Sequence, residues 1–343
     1  MPEPHIFDKK NILVTGGAGF IGSFLCERLL RDGHRVICVD DFSTSGVENI
    51  NVLMKNPDFE FLRADINQPL DLSKFPELDR FKFKFQGIQE IYHLACPMAV
   101  KDFEKFRQHT MLANSVGMRN VLDLALEHKA KFLQASSSIV YGPRVEDSHL
   151  IREDEGGCAP HLTPRSCYDI GKLWAETMAE TYRQVHGLEI RIARIFRTYG
   201  PRMPIFDGHM IPDFILNGLE GKPLVIYGTE SFRTSLLYVG DAVDAMVRLM
   251  SHPVDPGPVN VGSDLDLRIV DVANRIIEMT GSKSEIVFED PLLFMIQLNL
   301  PDLTKVKDTL GWIPMVSLEQ GLKKSIEYTI ASKGLLRTVT PGK

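Results

Sequence analysis

The stretch NILVTGGAGFIG, residues 11–22, decides the fold. Its first half is an apolar run bounded by glycine, short enough for a strand buried on both faces. Gly16, Gly19 and Gly22 then form a GxxGxxG pattern. In a strand–turn–helix unit the first glycine permits the tight turn, and the second lets a pyrophosphate approach the backbone. The third lets helix and strand pack closely. The helix FIGSFLCERLLRDG, closed by Gly33, offers its free N–H groups to the phosphates. The next strand, HRVICVDD, ends at Asp40, within the distance at which a carboxylate grips an adenosine ribose. Such a carboxylate repels a 2′-phosphate, so the expected cofactor is NAD rather than NADP. Asp65, after a third strand, either accepts from the adenine amino group or caps a turn.

Working outward, FEFLRAD, IQEIYHLA and KFLQASS are further strand candidates, and amphipathic segments such as MLANSVGMRNVLDLALEH lie between them. This alternation predicts an α/β fold, a Rossmann-type doubly wound parallel sheet with a smaller C-terminal α/β substrate-binding region. Ligands then bind at the carboxyl ends of the strands. The expected division assigns residues 1–195, with a return segment 236–262, to the dinucleotide domain. Residues 196–235 and 263–335 form the second region, and 336–343 a frayed tail. FKFKF (residues 81–85) reads as a one-sided β or loop packing patch.

With 39 Lys and Arg against 45 Asp and Glu, the net charge of -6 argues against nucleic-acid binding by a basic surface. Five scattered cysteines (26, 38, 96, 158, 167) lack CxxC spacing, which disfavours a disulfide framework or a zinc site; no metal is expected. They favour a reducing compartment. The opening MPEPHIFDKK does not read as a secretory signal, and no apolar run approaches the roughly 18 residues of a bilayer span. The expectation is a cytoplasmic protein without a membrane partner.

SCYDIGKLWAE places Tyr168 and Lys172 one helical turn apart on one face. A phenol with an ordinary pKa of ~10 is a poor base at neutral pH, but a neighbouring ammonium favours its ionised form. Such a tyrosine can take a hydroxyl proton while the C4 hydride of a sugar moves to NAD. Ser137, ending the strand KFLQASS, can hydrogen-bond the same oxygen. His93 reads as a packed residue rather than a base, and REDE (residues 152–155) as a solvated loop.

Taken together these residues resemble the extended short-chain dehydrogenase/reductases, the NAD-dependent epimerases and dehydratases. IYHLACP, PRSCYDIGK, RIARIFRTYGPRM, LPDLTKVKDTLGW and SLEQGL resemble the UDP-glucuronate decarboxylases, and less closely the nucleotide-sugar 4,6-dehydratases and 4-epimerases. The resemblance runs over roughly residues 10–328. It implies tightly held NAD, a nucleotide diphospho-sugar substrate (a UDP-sugar first), and a homodimer made through a helical bundle. It implies oxidation at C4, loss of CO2 from the 4-keto uronic acid, and return of the hydride. Ser137, Tyr168 and Lys172 match the hydride-transfer machinery. Gly16, Gly19, Phe20, Ile21, Gly22, Asp40, Asp41, Asp65, Ile66, Leu94, Ala95 and Asn114 match the cofactor site. Tyr141, Arg165 and Arg202 sit in matching motifs near the substrate end, and Ser138, Arg197 and Arg233 are further candidates for binding the substrate.

The departures concentrate at that end. Ile139 stands where the decarboxylases and dehydratases carry glutamate, and Ile170 replaces a second acid. Arg197 replaces an asparagine. The arginine expected before the strand containing Tyr238 is displaced by one position to Arg233, and Asn299 replaces another arginine. Isoleucine cannot move a proton, so dehydration is disfavoured. Decarboxylation fits the overall resemblance, whereas 4-epimerisation or 4-keto reduction needs only Ser137, Tyr168, Lys172 and NAD. A non-catalytic nucleotide-binding protein is a third reading, opposed by the intact Tyr168 and Lys172. Arg197 and Arg233 are expected to meet the substrate's phosphates or carboxylate.

Overall fold

The computed structural model describes residues 9–98, 100, 103–144, 149–157, 159–205, 207–291 and 297–339, with side chains through residue 333. Cys158 and the start of the amino-terminal stretch, residues 1–8, lie outside the described residues. Seven strands form one sheet: β1 (Asn11–Thr15), β2 (Arg35–Asp40), β3 (Phe59–Arg63), β4 (Glu90–His93), β5 (Lys131–Ser137), β6 (Ile190–Ile195) and β7 (Val259–Val261). Their order is β7-β6-β5-β4-β1-β2-β3, and every pair is parallel. The order reverses between β1 and β4, which opens a crevice beyond their carboxyl ends.

Apolar β-strand runs bury both faces of this sheet, as a doubly covered parallel sheet requires. Ile12, Val14, Val36 and Cys38 pack on one side with the helices Phe20–Arg31 and Val239–Ser251; Leu13, Ile37 and Val39 pack on the other with Met118–His128 and Ser166–His186. A third core, built from Ile211, Phe214, Ile226, Val272 and Leu322, lies under the segments beyond β6. There the strand Leu224–Tyr227 pairs with Ile286–Glu289, away from the main sheet.

Two local expectations need correction. Residues 81–85 are not β: a short 3₁₀ helix starting at Pro76 ends at Phe81, Lys82 turns left-handed, and a helical turn Phe83–Gln86 follows. Proline fits the first turn of a helix, where its missing N–H costs nothing. Phe81 and Phe83 are buried, while Phe85 is 88% exposed. The last helix, Leu318–Val339, continues into the segment expected to fray as far as Val339, and residues 340–343 of that segment lie outside the described residues. Among the described residues no helix is long and apolar enough to cross a membrane.

Candidate active site

A cavity of about 460 Å³ runs along the carboxyl edge of the sheet and into the C-terminal region. Gly16, Gly19, Phe20, Ile21 and Gly22 line it at the β1 turn, and Asp40, Asp41, Asp65 and Ile66 line it past β2 and β3. Leu94 and Ala95 follow from β4, and Ser137, Ser138, Tyr168 and Lys172 from β5 and the long helix. Arg165 and Arg197 complete the sequence-derived residues in the same lining.

The turn is shaped for close approach. Gly16 has φ +71°, where a side chain is strained, and an added Cβ would meet the Ala95 backbone nitrogen at 2.7 Å. A Cβ at Gly22 would meet the Gly16 carbonyl oxygen at 2.1 Å, so helix and turn touch only because this residue is glycine. The cradle therefore fits a dinucleotide pyrophosphate. Asp40 accepts from the N–H groups of Ala18 (3.1 Å) and Phe42 (3.0 Å) and from the Ser45 hydroxyl (2.8 Å). Burial pushes its carboxyl pKa up, against those three hydrogen bonds. Asp65 does cap a turn, accepting from Asn67 N–H at 2.9 Å. His109 was not foreseen: it too lines the cavity, and polar atoms of Asp41, Asp65 and His109 lie within 4.8 Å of one another.

At the other side of the crevice Tyr168 is buried between two cations. The Arg165 guanidinium lies 5.3 Å from its ring centre and Lys172 Nζ 5.8 Å. Lys172 Nζ donates to the Ala135 carbonyl at 3.0 Å, which ties the long helix to β5. Arg165 is paired with Asp169 at 2.8 Å. His93, fully enclosed beneath this site, bonds the Thr15 hydroxyl at 2.8 Å. Burial, with Lys172 adding to it, drives its pKa down to about 3, so it is neutral and packed.

Ile139 is buried in one apolar cluster with Phe103 and Tyr168, against Cys96, Met98 and Leu298. The wall behind the tyrosine is therefore hydrophobic where an acid was expected. Asn299 is buried as well, donating to the Gly142 carbonyl at 3.2 Å, and neither it nor Ile170 lines the cavity.

Four sequence-derived residues sit elsewhere. Tyr141 donates its hydroxyl to Asn260 Oδ1 at 2.7 Å and accepts from Arg194 at 2.9 Å, inside a network continued by Glu176 and Ser136. Burial pushes its pKa up to about 12. Arg202 pairs with Glu27 at 2.5 Å and stacks 4.5 Å from the Phe24 ring, clamping the first helix. Arg233 joins Arg144 on Asp266, at 2.6 Å and 3.1 Å. Asn114 spends its amide on the Thr110 carbonyl and Cys96 Sγ. None of the four lines the cavity. REDE is less solvated than expected: the Glu153 carboxylate accepts from Asn260 N–H at 2.8 Å.

The sequence reading also missed Met98, Phe103, His209, Phe214, Tyr227 and Leu298, which all line the cavity. PLVIYG and HMIPDFILNGLEG signalled a strand and a helix but carried no polar pattern that marks a site.

A glycine cradle at a parallel switch point, joined by one cavity to a cation-flanked tyrosine, defines a dinucleotide-dependent hydride-transfer protein. The chain belongs to the NAD dependent epimerase/dehydratase family, whose model matches residues 12–262. Its cofactor is accordingly NAD. It is 39% identical to UDP-glucuronic acid decarboxylase 1 of Xenopus tropicalis, over 94% of this chain and 72% of that one. It is 37% identical to UDP-glucuronic acid decarboxylase 5 of Arabidopsis thaliana, over 91% of this chain and 86% of that one. Among solved structures, UDP-glucuronic acid 4-epimerase from Bacillus cereus, in complex with UDP-glucuronic acid and NAD, superposes with a TM-score of 0.81 at 28% identity. That match covers 94% of this chain and 99% of the epimerase.

Proposed function

We propose that this protein modifies a nucleotide sugar by transient oxidation at C4, with UDP-glucuronate as substrate and its decarboxylation as the reaction. The observation that carries the reading is Tyr168, flanked by Lys172 and Arg165, in the same cavity as the Gly16–Gly22 turn. The decarboxylase relatives supply the choice of substrate.

NAD, when bound, accepts and later returns the C4 hydride. Gly16, Gly19 and Gly22 would hold its pyrophosphate, and Asp40 would bind its ribose. The Tyr168 oxygen takes the C4 hydroxyl proton, with Lys172 stabilising the phenolate and Ser137 orienting the hydroxyl. The resulting 4-keto sugar is a β-keto acid. The C5–C6 bond breaks, its electron pair moves towards the C4 carbonyl to give an enolate, and CO2 leaves. A solvent water donates a proton to C5, leaving hydroxide to be neutralised in bulk, and Tyr168 returns its proton to the C4 oxygen as the hydride comes back. No step requires an acid at position 139, which suits the apolar cluster around Ile139.

A second reading, 4-epimerisation, has its own support: Ile139 and Asn299 depart from the decarboxylase pattern, and the Bacillus cereus epimerase shares the fold closely. It uses the same C4 oxidation and ends with the hydride returned to the opposite face.

In this reading residues 1–195 with 236–262 hold the dinucleotide, and 196–235 with 263–335 grip the nucleotide sugar. The protein works as a cytoplasmic homodimer. Half-exposed Met111 and Trp174, on the helices Phe103–Leu112 and Ser166–His186, support a helical interface. The test is mass spectrometry and NMR after incubation with UDP-, dTDP-, GDP- and CDP-sugars. Loss of CO2 from UDP-glucuronate supports decarboxylation. Unchanged mass with altered ring couplings supports epimerisation, and no turnover of any sugar nucleotide overturns both.

A further inference from the structure

Arg197 stands out among the cavity's cations. Lys172 is bonded to a backbone carbonyl and Arg165 to Asp169. Arg197 also lines the cavity, yet its guanidinium has no hydrogen-bond or ion-pair partner among the described residues. Its backbone is fixed: it follows the end of β6, and its carbonyl accepts from Leu237 N–H at 2.9 Å, beside the short pairing of Thr198–Tyr199 with Leu237–Tyr238. Burial, with repulsion from Arg165, lowers its pKa to about 10. Arg197 is half-buried, so its guanidinium is open to the cavity, and a fixed cation there without a protein counter-charge is matched best by an anion on the ligand.

The substrate of the proposed reaction carries two anionic groups, and position decides between them. Arg165 lies over the Tyr168 ring, and Arg197, lining the same cavity, is near enough to Arg165 to feel its charge. Tyr168 works at C4 of the pyranose. C6 is attached to C5, the next ring atom, whereas the diphosphate hangs from C1 across the ring. An anion acceptor beside the C4 group therefore meets C6 first. The other arginine candidates are spent or absent: Arg233 is held by Asp266, and position 299 is an asparagine bound to Gly142. We infer that Arg197 receives the C6 carboxylate of the sugar and sets the preference for a hexuronate over a neutral sugar. The inference rests on the C4 chemistry proposed above.

The contact exists in the ground state, so its loss appears as weaker binding rather than as slower bond breaking. The experiment compares wild type, Arg197→Gln and Arg197→Lys, each checked for retained NAD. Calorimetry measures affinity for UDP-glucuronate, UDP-glucose and UDP-xylose, the last two without a carboxylate. The expected result is a roughly ten- to hundred-fold loss of UDP-glucuronate affinity in Arg197→Gln, with the neutral sugar nucleotides unchanged. Arg197→Lys is expected to recover part of the loss, because a lysine keeps the charge without the fork. Equal weakening for all three ligands makes Arg197 a diphosphate clamp and overturns the inference, as does unchanged UDP-glucuronate affinity. The underlying reading fails separately, if the wild-type protein neither prefers UDP-glucuronate to UDP-glucose nor turns it over.

Discussion

Lys172 and Tyr168 stand one helical turn apart, and the ammonium sits 5.8 Å from the phenol ring centre while donating to Ala135 at the end of β5. The helix spacing brings the two side chains together, and the strand fixes where they point. The proposed proton transfer depends on that triangle of helix, strand and cavity.

Tyr141 is the clearest separation of structure from chemistry. Its hydroxyl bridges Asn260 and Arg194 away from the cavity. Tyr141→Phe should lower stability by about 1–3 kcal/mol, because both partners lose a buried bond. NAD content and substrate KM should stay at wild-type values. Urea unfolding beside steady-state kinetics checks this, and a large rise in KM would return Tyr141 to the substrate site.

Ile139→Glu tests whether an acid alone makes a dehydratase. The new carboxylate would enter the apolar cluster of Phe103, Tyr168 and Leu298 without a partner. Destabilisation of at least about 2 kcal/mol is expected, and no dehydrated product. Mass spectrometry of the products reads the outcome, and loss of water from a UDP-hexose would contradict the account of this wall.

His93 gives a pH dependence with a defined sign. Its folded pKa is about 3 against an ordinary 6.5. The unfolded chain therefore binds a proton that the folded chain refuses, and stability falls as pH drops through that window. The single-site slope reaches about 1.4 kcal/mol per pH unit. Comparing the pH dependence of denaturant midpoints in wild type and His93→Asn isolates it; the variant should be flatter. Identical slopes would mean that His93 binds its proton equally well folded and unfolded, against the burial argument.

What was legible in the sequence follows from how local each signal is. The GxxGxxG turn and the Tyr168–Lys172 spacing encode their geometry within a few residues, so the cradle and the pair could be read directly. Tyr141, Arg202 and Arg233 could not, because their partners Asn260, Glu27 and Asp266 lie 119, 175 and 33 residues away. Asn114 is set by a local detail of another kind: it sits in a π-helical turn, and its amide donates back to the Thr110 carbonyl. FKFKF alternates like a strand, but Pro76 and the left-handed Lys82 impose a helical path. His209, Phe214 and Tyr227 reach the cavity through packing of the C-terminal region, for which a strand or helix pattern alone gives no direction.

The most direct measurement is turnover of UDP-glucuronate by Tyr168→Phe, with bound NAD quantified in the same preparation. Full NAD occupancy with turnover reduced about a hundred- to ten-thousand-fold is the predicted result. Turnover within a few-fold of wild type, in a variant that still holds NAD, would contradict the assignment of proton transfer to Tyr168.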